Sequence, residues 1–447
     1  MFNRLKQRFE PHMSRLGDSD TAKAAGLAGA MVANNVIALG SVIVFSRLLS
    51  DYGSLAALVS YFLILAVAGY AMQLATAREA VLGHLGVGGG MTATIRSWAK
   101  ALLAFTVVAT VASVLLRHPI AEAVGVKQQW AAALGIPAGC LYLFLCIMRG
   151  FLQGLGDYRA VGISLVGEQA TRLLIGGVLA GVGFGITGAY IGTPLSFIAM
   201  MAYCAVPLHR RLGHAKPTDR AAIGLWTHVR KAWAAIAALA IIAVLQNIDI
   251  IAAKHQFSTN LASSYSATAV AAKVLIWVAM GAGFYLVPEV SRRHSSGQDG
   301  RPVLGKALAI VGVAAIPCLL IYAFGSTPLI RAAFGAKRLL AVDALFILGI
   351  AFTVLAATYL AVQYMLALKR TWFLLPLGLV AVAEPILLLQ ASKEPKGFAT
   401  VVLGVQIVGA LVAFGMALRP DRTRPNRADQ LPPGLEEPEL VGASGLS

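Results

Sequence analysis

Glu168 and Arg172 stand four residues apart in an apolar stretch that runs from Ala160 to Val182. On a helix that spacing puts both side chains on one face, within reach of each other. Two readings stay open. The two residues form a self-neutralising ion pair that fixes helix packing, or Arg172 offers its charge to an anionic substrate while Glu168 holds it in place. Asp249 and Lys273 form a second candidate pair on neighbouring apolar stretches, expected to agree in depth to ~6 Å at 1.5 Å per residue. Asp249 is alternatively a proton- or cation-coupling site, since a carboxylate away from water readily takes up either. Asn34, Asn35, Gln73, Gln246 and Asn247 place amides at similar depth, as glue between helices or as partners for sugar hydroxyls. Glu384 stands beside Pro385, and the sequence assigns it no role. Arg47 and Lys254 lie at helix ends, where snorkelling accounts for them.

Little else in the chain carries chemistry. There is no HExxH, no GxSxG and no loop carboxylate pair, so neither catalytic residues nor enzyme activity are expected, and no cofactor or metal site. Gly183 to Gly188 matches GxGxxG, but it separates two apolar stretches and lacks the strand that a dinucleotide fingerprint requires. It reads as a tight turn. Cys140, Cys146, Cys204 and Cys318 fall inside apolar stretches without ligand spacing and read as packing residues.

Twelve apolar stretches must position these groups: 23–46, 54–77, 98–116, 131–150, 160–182, 184–208, 232–253, 264–289, 303–325, 340–365, 372–391 and 398–418. Most reach the ~20 residues that cross a bilayer core. Hydrophobic residues make up 58% of the 447-residue chain, charged residues 13%, and the mean hydropathy is +0.75. The expected fold is therefore an all-α polytopic membrane protein. An ionisable group in such a span costs about 2.5–3.5 kcal/mol to insert, so it should face a cavity or a partner.

Lys and Arg concentrate on the side that holds both termini, which the positive-inside rule makes cytoplasmic. Basic loops beside anionic lipid account for the net charge of +17 without a nucleic-acid partner. Residues 1–22 are expected to form a cytoplasmic tail without a cleavable signal peptide, with Phe2, Leu5 and Phe9 on a weak interfacial helix. Bundles of six spans follow at 23–208 and 232–418, separated by a basic cytoplasmic loop at 209–231. The proline-rich segment 419–447 reads as a disordered cytoplasmic tail.

The halves look duplicated. Sliding the second back by 213 residues, the difference between 247 and 34, lays Asn247 on Asn34 and Tyr265-Ser266 on Tyr52-Gly53. Six spans per repeat is even, so the repeats insert the same way up. Their pseudo-two-fold axis then runs along the membrane normal, with a central cleft between two six-helix bundles.

Several short motifs go further. Arg47-Leu48-Leu49 with Tyr52-Gly53 follows the first span, and Arg149-Gly150-Phe151-Leu152-Gln153-Gly154-Leu155-Gly156-Asp157-Tyr158 follows the fourth. Asn247-Ile248-Asp249, Tyr265-Ser266-Ala267 and Pro288 with Ser291-Arg292 continue the pattern. With these the chain resembles the O-antigen and teichuronic-acid type polysaccharide flippases of the multidrug/oligosaccharidyl-lipid/polysaccharide exporter superfamily. The similarity runs over roughly residues 20 to 418 and is looser beyond the sixth span.

The resemblance implies a multi-pass protein of the cell (plasma or inner) membrane. It would flip a polyprenyl-diphosphate-linked oligosaccharide to the outer leaflet by alternating access, for cell-surface polysaccharide synthesis. Implied partners are the lipid-linked glycan, membrane lipids, and glycosyltransferases or a polymerase of the same pathway. Arg172, Lys273, Glu168, Asn34, Asn35, Gln73 and Asn247 are the candidate cleft residues, with Asp249 the candidate for cation coupling. Two alternatives stand: a cation-coupled multidrug or toxin antiporter of the same superfamily, and a non-transporting membrane scaffold for glycosyltransferases.

Overall fold

The structure is a computed structural model that describes residues 20–212 and 223–419. The expected tails, the interfacial helix at Phe2, Leu5 and Phe9, and the centre of the 209–231 loop lie wholly or largely outside those residues. Twelve long helices cross the fold: α1 Asp20–Leu48, α2 Tyr52–Val81, α3 Gly89–Leu115, α4 Gly135–Gly154, α5 Tyr158–Leu179 and α6 Gly185–Leu212. The second half follows with α7 Leu225–Gln256, α8 Thr259–Ser295, α9 Arg301–Phe324, α10 Leu345–Ala367, α11 Leu374–Leu389 and α12 Pro395–Ala417. The shift of 213 residues superimposes the two sets of six to within about two helical turns at every end.

Among the described residues, ten continuous helical stretches are long and apolar enough to cross a membrane, and one of them, Tyr158–Leu212, is really two. It doubles back at Gly183, whose φ of 108° is closed to side chains with a Cβ, so α5 and α6 form a hairpin. That is the tight turn expected of the GxGxxG segment. α11 is the shortest pass at 16 residues, or ~24 Å. Rows of exposed side chains such as Leu103, Val107 and Val111 on α3 and Val313, Ile316 and Leu320 on α9 suit hydrocarbon and not water.

The helices overrun the hydropathy boundaries at their polar ends. α3 begins at Gly89 rather than near Trp98, and α7 at Leu225 rather than Ala232, because their first turns carry Arg96, His228 and Lys231. Short helices at Arg117–Val124 and Ser326–Phe334 fill connections that read as plain loops, while Gln129–Ala133 and a 3₁₀ segment at Ala336–Ala344 lead into α4 and α10 and take up the first residues of the stretches 131–150 and 340–365.

In the first bundle α2 and α6 pack on α4, and α5 lies between α1 and α6. In the second, α10 takes contacts from α8, α9 and α12, while α11 packs on α7 and α12. α2 and α7 run against each other where the bundles meet. Gly150 lets α2 and α4 approach closely: a Cβ there would sit 2.7 Å from the Gln73 carbonyl oxygen and 2.8 Å from Thr76 Cβ.

Both described chain ends lie on one face, the terminal face; the α1–α2 turn lies on the opposite, distal face. The distal face is latched. Arg338, buried in the 3₁₀ segment, donates to the carbonyls of Ser46 (2.9 Å), Leu49 (2.6 Å) and Ser50 (3.3 Å), the free carbonyls that end α1. Lys254 at the end of α7 pairs with Asp51 at 2.7 Å, and the Gly53 amide donates to Ser263 Oγ at 2.9 Å. Two reciprocal contacts complete the seal. Arg47 donates to the carbonyls of Ala332 and Ala333 in the second bundle, and His255 Nε2 to Ala123 in the first, at 3.1 Å. Snorkelling was the wrong account of Arg47 and Lys254: both reach sideways to the other bundle, where fixed acceptors await.

The terminal face is tied on one side only. His228 of α7 stacks on Trp98 at 4.8 Å and shares a hydrogen bond with Thr76 at 3.2 Å, and Trp98 Nε1 donates to the Ile223 carbonyl. Between residues 26–48 of α1 and the part of α8 after Lys273, the described side chains form no hydrogen bond or ion pair.

Candidate functional site

Each bundle encloses one charged cluster. In the first, Glu168 of α5 is held between two guanidiniums. Arg172, one turn on, donates to Oε1 at 2.8 Å, as the i,i+4 spacing requires. Arg149 of α4 lies 2.9 Å from Oε2 and grips Ser164 twice, at Oγ (2.9 Å) and at the carbonyl (2.8 Å). Arg149 is 0% exposed and Glu168 4%. Arg172 lies against the rings of Phe62 and Phe197, its guanidinium carbon 5.6 and 5.3 Å from their centroids. Its Nε is buried without a hydrogen-bond partner, and its side chain keeps 13% of its exposure. Two cations on one carboxylate leave a surplus positive charge inside the bundle.

The second cluster has the opposite balance. Lys273 sits at the break in α8 and donates to Asp249 Oδ1 at 2.9 Å, while the Tyr265 hydroxyl donates to Oδ2 at 3.3 Å. The Lys273 ammonium lies 5.0 Å from the Phe352 ring centroid. Glu384 of α11 accepts from Gln406 of α12 at 3.1 Å, and Gln406 also donates to the Leu245 carbonyl of α7. Glu384 Oε2 is buried with no partner. One ammonium thus accompanies two carboxylates. Among the described residues no group of three or more His, Cys, Asp or Glu is placed to hold a metal ion.

The hydrogen bonds described for the other residues singled out in the sequence go elsewhere. Asn34 and Asn35 are half-buried neighbours on α1, 3.5 Å apart through their amides. Gln73 reaches Gln153 across the α2–α4 contact at 3.4 Å, and Asn247 donates to Ala243 of its own helix at 2.9 Å. Arg47, Tyr52 and Gly53 belong to the latched distal face, with the Tyr52 ring 6.0 Å from the Arg338 guanidinium. Gly150, Gln153 and Gly154 line the α2 side of α4, and Tyr158 opens α5 on the terminal face.

Arg149 is the member that sequence reasoning left outside the site. As part of a motif after the fourth stretch it read as a helix-end arginine. The helix in fact continues to Gly154, and the stop is Gly156 with φ of +77°. Taking that glycine as the terminator would have put Arg149 more than a turn inside. Arg338 carried no signal at all, because its partners are main-chain carbonyls some 290 residues away.

The fold is thus all-α, with twelve passes in two six-helix bundles and a charged cluster in each. The solved structures it resembles are transporters. The lipid II flippase MurJ in an inward closed conformation superimposes with a TM-score of 0.69 at 14% identity, covering 87% of each chain. A multidrug resistance MATE family transporter of the MOP superfamily, inward-facing, gives 0.66 at 13% identity over 86% of this chain and 93% of that one. A MOP superfamily transporter from Pyrococcus furiosus gives 0.60 at 14% identity, over 88% and 92%. No protein-family model and no curated protein sequence matches the chain. At these identities the likeness is one of fold. It bears out the all-α, two-bundle architecture and leaves the flippase and antiporter readings side by side.

Proposed function

We propose that this protein moves a polyprenyl-diphosphate-linked oligosaccharide from the cytoplasmic to the outer leaflet by alternating access, with both termini in the cytoplasm. The observation that carries the reading is the Arg149–Glu168–Arg172 cluster. Arg149 fixes the carboxylate, the carboxylate fixes Arg172, and Arg172 brings uncompensated charge and an unsatisfied Nε to the least enclosed position of the three. A held guanidinium with a free donor suits a diphosphate or an acidic sugar.

A sugar head crosses hydrocarbon only if its hydroxyls keep partners, since each bare polar group costs several kcal/mol. A cleft between the bundles supplies those partners while the lipid tail stays in the bilayer. The distal latches and the untied α1–α8 side support a state open toward the terminal face, where the substrate would enter. Moving two negative charges outward gains roughly 4–5 kcal/mol at 100 mV, negative inside, so the membrane potential suffices as drive.

A cation-coupled antiporter is the second reading, and one observation favours it. The second cluster holds more carboxylate than ammonium, and Glu384 Oε2 is left without a partner. Asp249 and Glu384 would then take up and release a cation during the cycle.

Proteoliposomes separate the two. Flipping of a fluorescent polyprenyl-diphosphate disaccharide, stimulated by an imposed potential and abolished by Arg172→Ala, is the expected result. Absence of flipping together with ion-gradient-driven efflux of a cationic dye would transfer the protein to the second reading.

A further inference from the structure

In the first bundle α3 and α6 each pack on α4 but scarcely meet each other. The gap between them is a cavity of about 440 Å³ that opens toward the terminal face. Ile95 of α3, Phe144 and Met148 of α4 and Leu208 of α6 make its walls apolar. Phe144 stands ten residues before the end of α4, so the cavity reaches ~15 Å into the bilayer. Its rim is different. Arg96 from α3 and His209 from the last turns of α6 both line it and both are exposed, and neither makes an ion pair or hydrogen bond with another described residue.

The second bundle supplies an internal comparison. α9 and α12 also flank α10 without packing closely on each other, and a surface cavity of about 470 Å³ lies along α10 and α12. Val354, Leu411 and Phe414 line it, with no charged residue. The arginines at its terminal end are engaged: Arg301 donates to the Leu418 carbonyl, and Arg419 stacks on Trp372. Both bundles thus carry an apolar groove, and only the first has an arginine and a histidine in its lining.

We propose that the α3–α4–α6 groove is a binding site for an anionic phospholipid, with one acyl chain between α3 and α6 and the phosphate on Arg96 and His209. A bilayer protein meets lipid along every gap in its surface, so the groove is filled by a chain whatever the headgroup. Charge decides which lipid stays. Basic pockets between membrane helices select anionic headgroups, and each surface cation contributes about 1 kcal/mol, or about fivefold in affinity. The bound lipid wedges α3 against α6, two helices that lack direct contact. The site lies on the outside of the bundle, independent of the charged clusters and of whatever the protein transports.

The test uses the full chain in detergent with phosphatidylglycerol or phosphatidylcholine of identical acyl chains, each with a photoreactive tail, read by native mass spectrometry and by mapping labelled peptides. The wild type should retain phosphatidylglycerol at least fivefold better and label α3, α4 and α6. Arg96→Gln with His209→Gln should abolish that preference and leave phosphatidylcholine retention unchanged. Both side chains are exposed, so this variant keeps its fold. Ala205→Trp, which fills the groove, should reduce labelling of these helices by both lipids and leave α10 and α12 unaffected. Equal retention of the two lipids by the wild type would overturn the proposal, as would a preference that survives the double substitution. Displacement of the lipid by millimolar glycerol phosphate would reduce the site to a bare phosphate contact and overturn it equally.

Discussion

Arg338→Ala should open the distal face without unfolding either bundle. The side chain reaches three main-chain carbonyls of α1 and its exit, at closest distances of 2.9, 2.6 and 3.3 Å. A hydrogen bond from a charged donor contributes about 1.5–3 kcal/mol net. The longest contact is weak, and water rehydrates the carbonyls once the bundles part, so the loss should come to about 2–4 kcal/mol. At about 1.4 kcal/mol per tenfold, the open fraction rises roughly 30- to 1,000-fold. A cysteine at Ser263, which is 0% exposed beneath Gly53, reports the change in a background without the four native cysteines. Its maleimide labelling should quicken by that factor in Arg338→Ala. Arg338→Lys should fall between, because a single ammonium cannot span carbonyls that the planar guanidinium forks across. A folded Arg338→Ala protein that labels at the parental rate would refute the latch.

Glu168→Gln should destabilise the protein by about 3–5 kcal/mol in detergent unfolding, since it leaves two facing guanidiniums uncompensated, and Arg149→Met added to it should restore part of the loss. Lys273→Met should cost a similar amount, and the pair Lys273→Met with Asp249→Asn less than the single change, in a double-mutant cycle read by unfolding. Gly150→Val should part α2 from α4 and lower stability by about 1–3 kcal/mol, measured the same way. The Asp51 carboxyl is raised by partial burial, but hydrogen bonds from Lys254 and Ser54 and the charge of Lys254 outweigh this, so it sits below its ordinary 3.8. A lowered carboxyl stabilises above the unfolded value and loses that contribution as pH falls through the folded one. Distal-face labelling, taken relative to a free thiol at the same pH, should therefore quicken below pH 3.8 in the wild type and show no such step in Asp51→Asn.

The fold was legible because hydrophobic length is a local signal. Spans, the Gly183 turn and the repeat all follow from stretches of about twenty residues and their spacing. The Glu168–Arg172 pair was legible for the same reason, since four residues on one helix fix a distance. Asp249 with Lys273 needed only the further premise that consecutive helices are neighbours. Beyond that the signal fails. Arg149 meets Glu168 only because α4 runs a turn longer than its hydropathy suggests, and Glu384 meets Gln406 across two helices whose rotation no pattern reveals. The grip of Arg338 was invisible because a main-chain acceptor has no letter in the sequence. Asn34, Asn35 and Asn247 show the converse, polar residues at the right depth whose hydrogen bonds stay within their own helix, while Gln73 reaches across to α4.

The grip of Arg338 on α1 has an evolutionary corollary. One partner is a side chain and the other is peptide backbone, so the two bundles are not equally exposed to mutation. Ser46, Leu49 and Ser50 present the same carbonyls with any residue type that fits their places, whereas loss of the guanidinium at position 338 removes every contact it makes. Co-variation at these positions should therefore be faint, and contacts inferred from paired substitutions would miss this tie between the bundles. Selection on how readily the distal face opens would act on one residue, with no compensating partner to track.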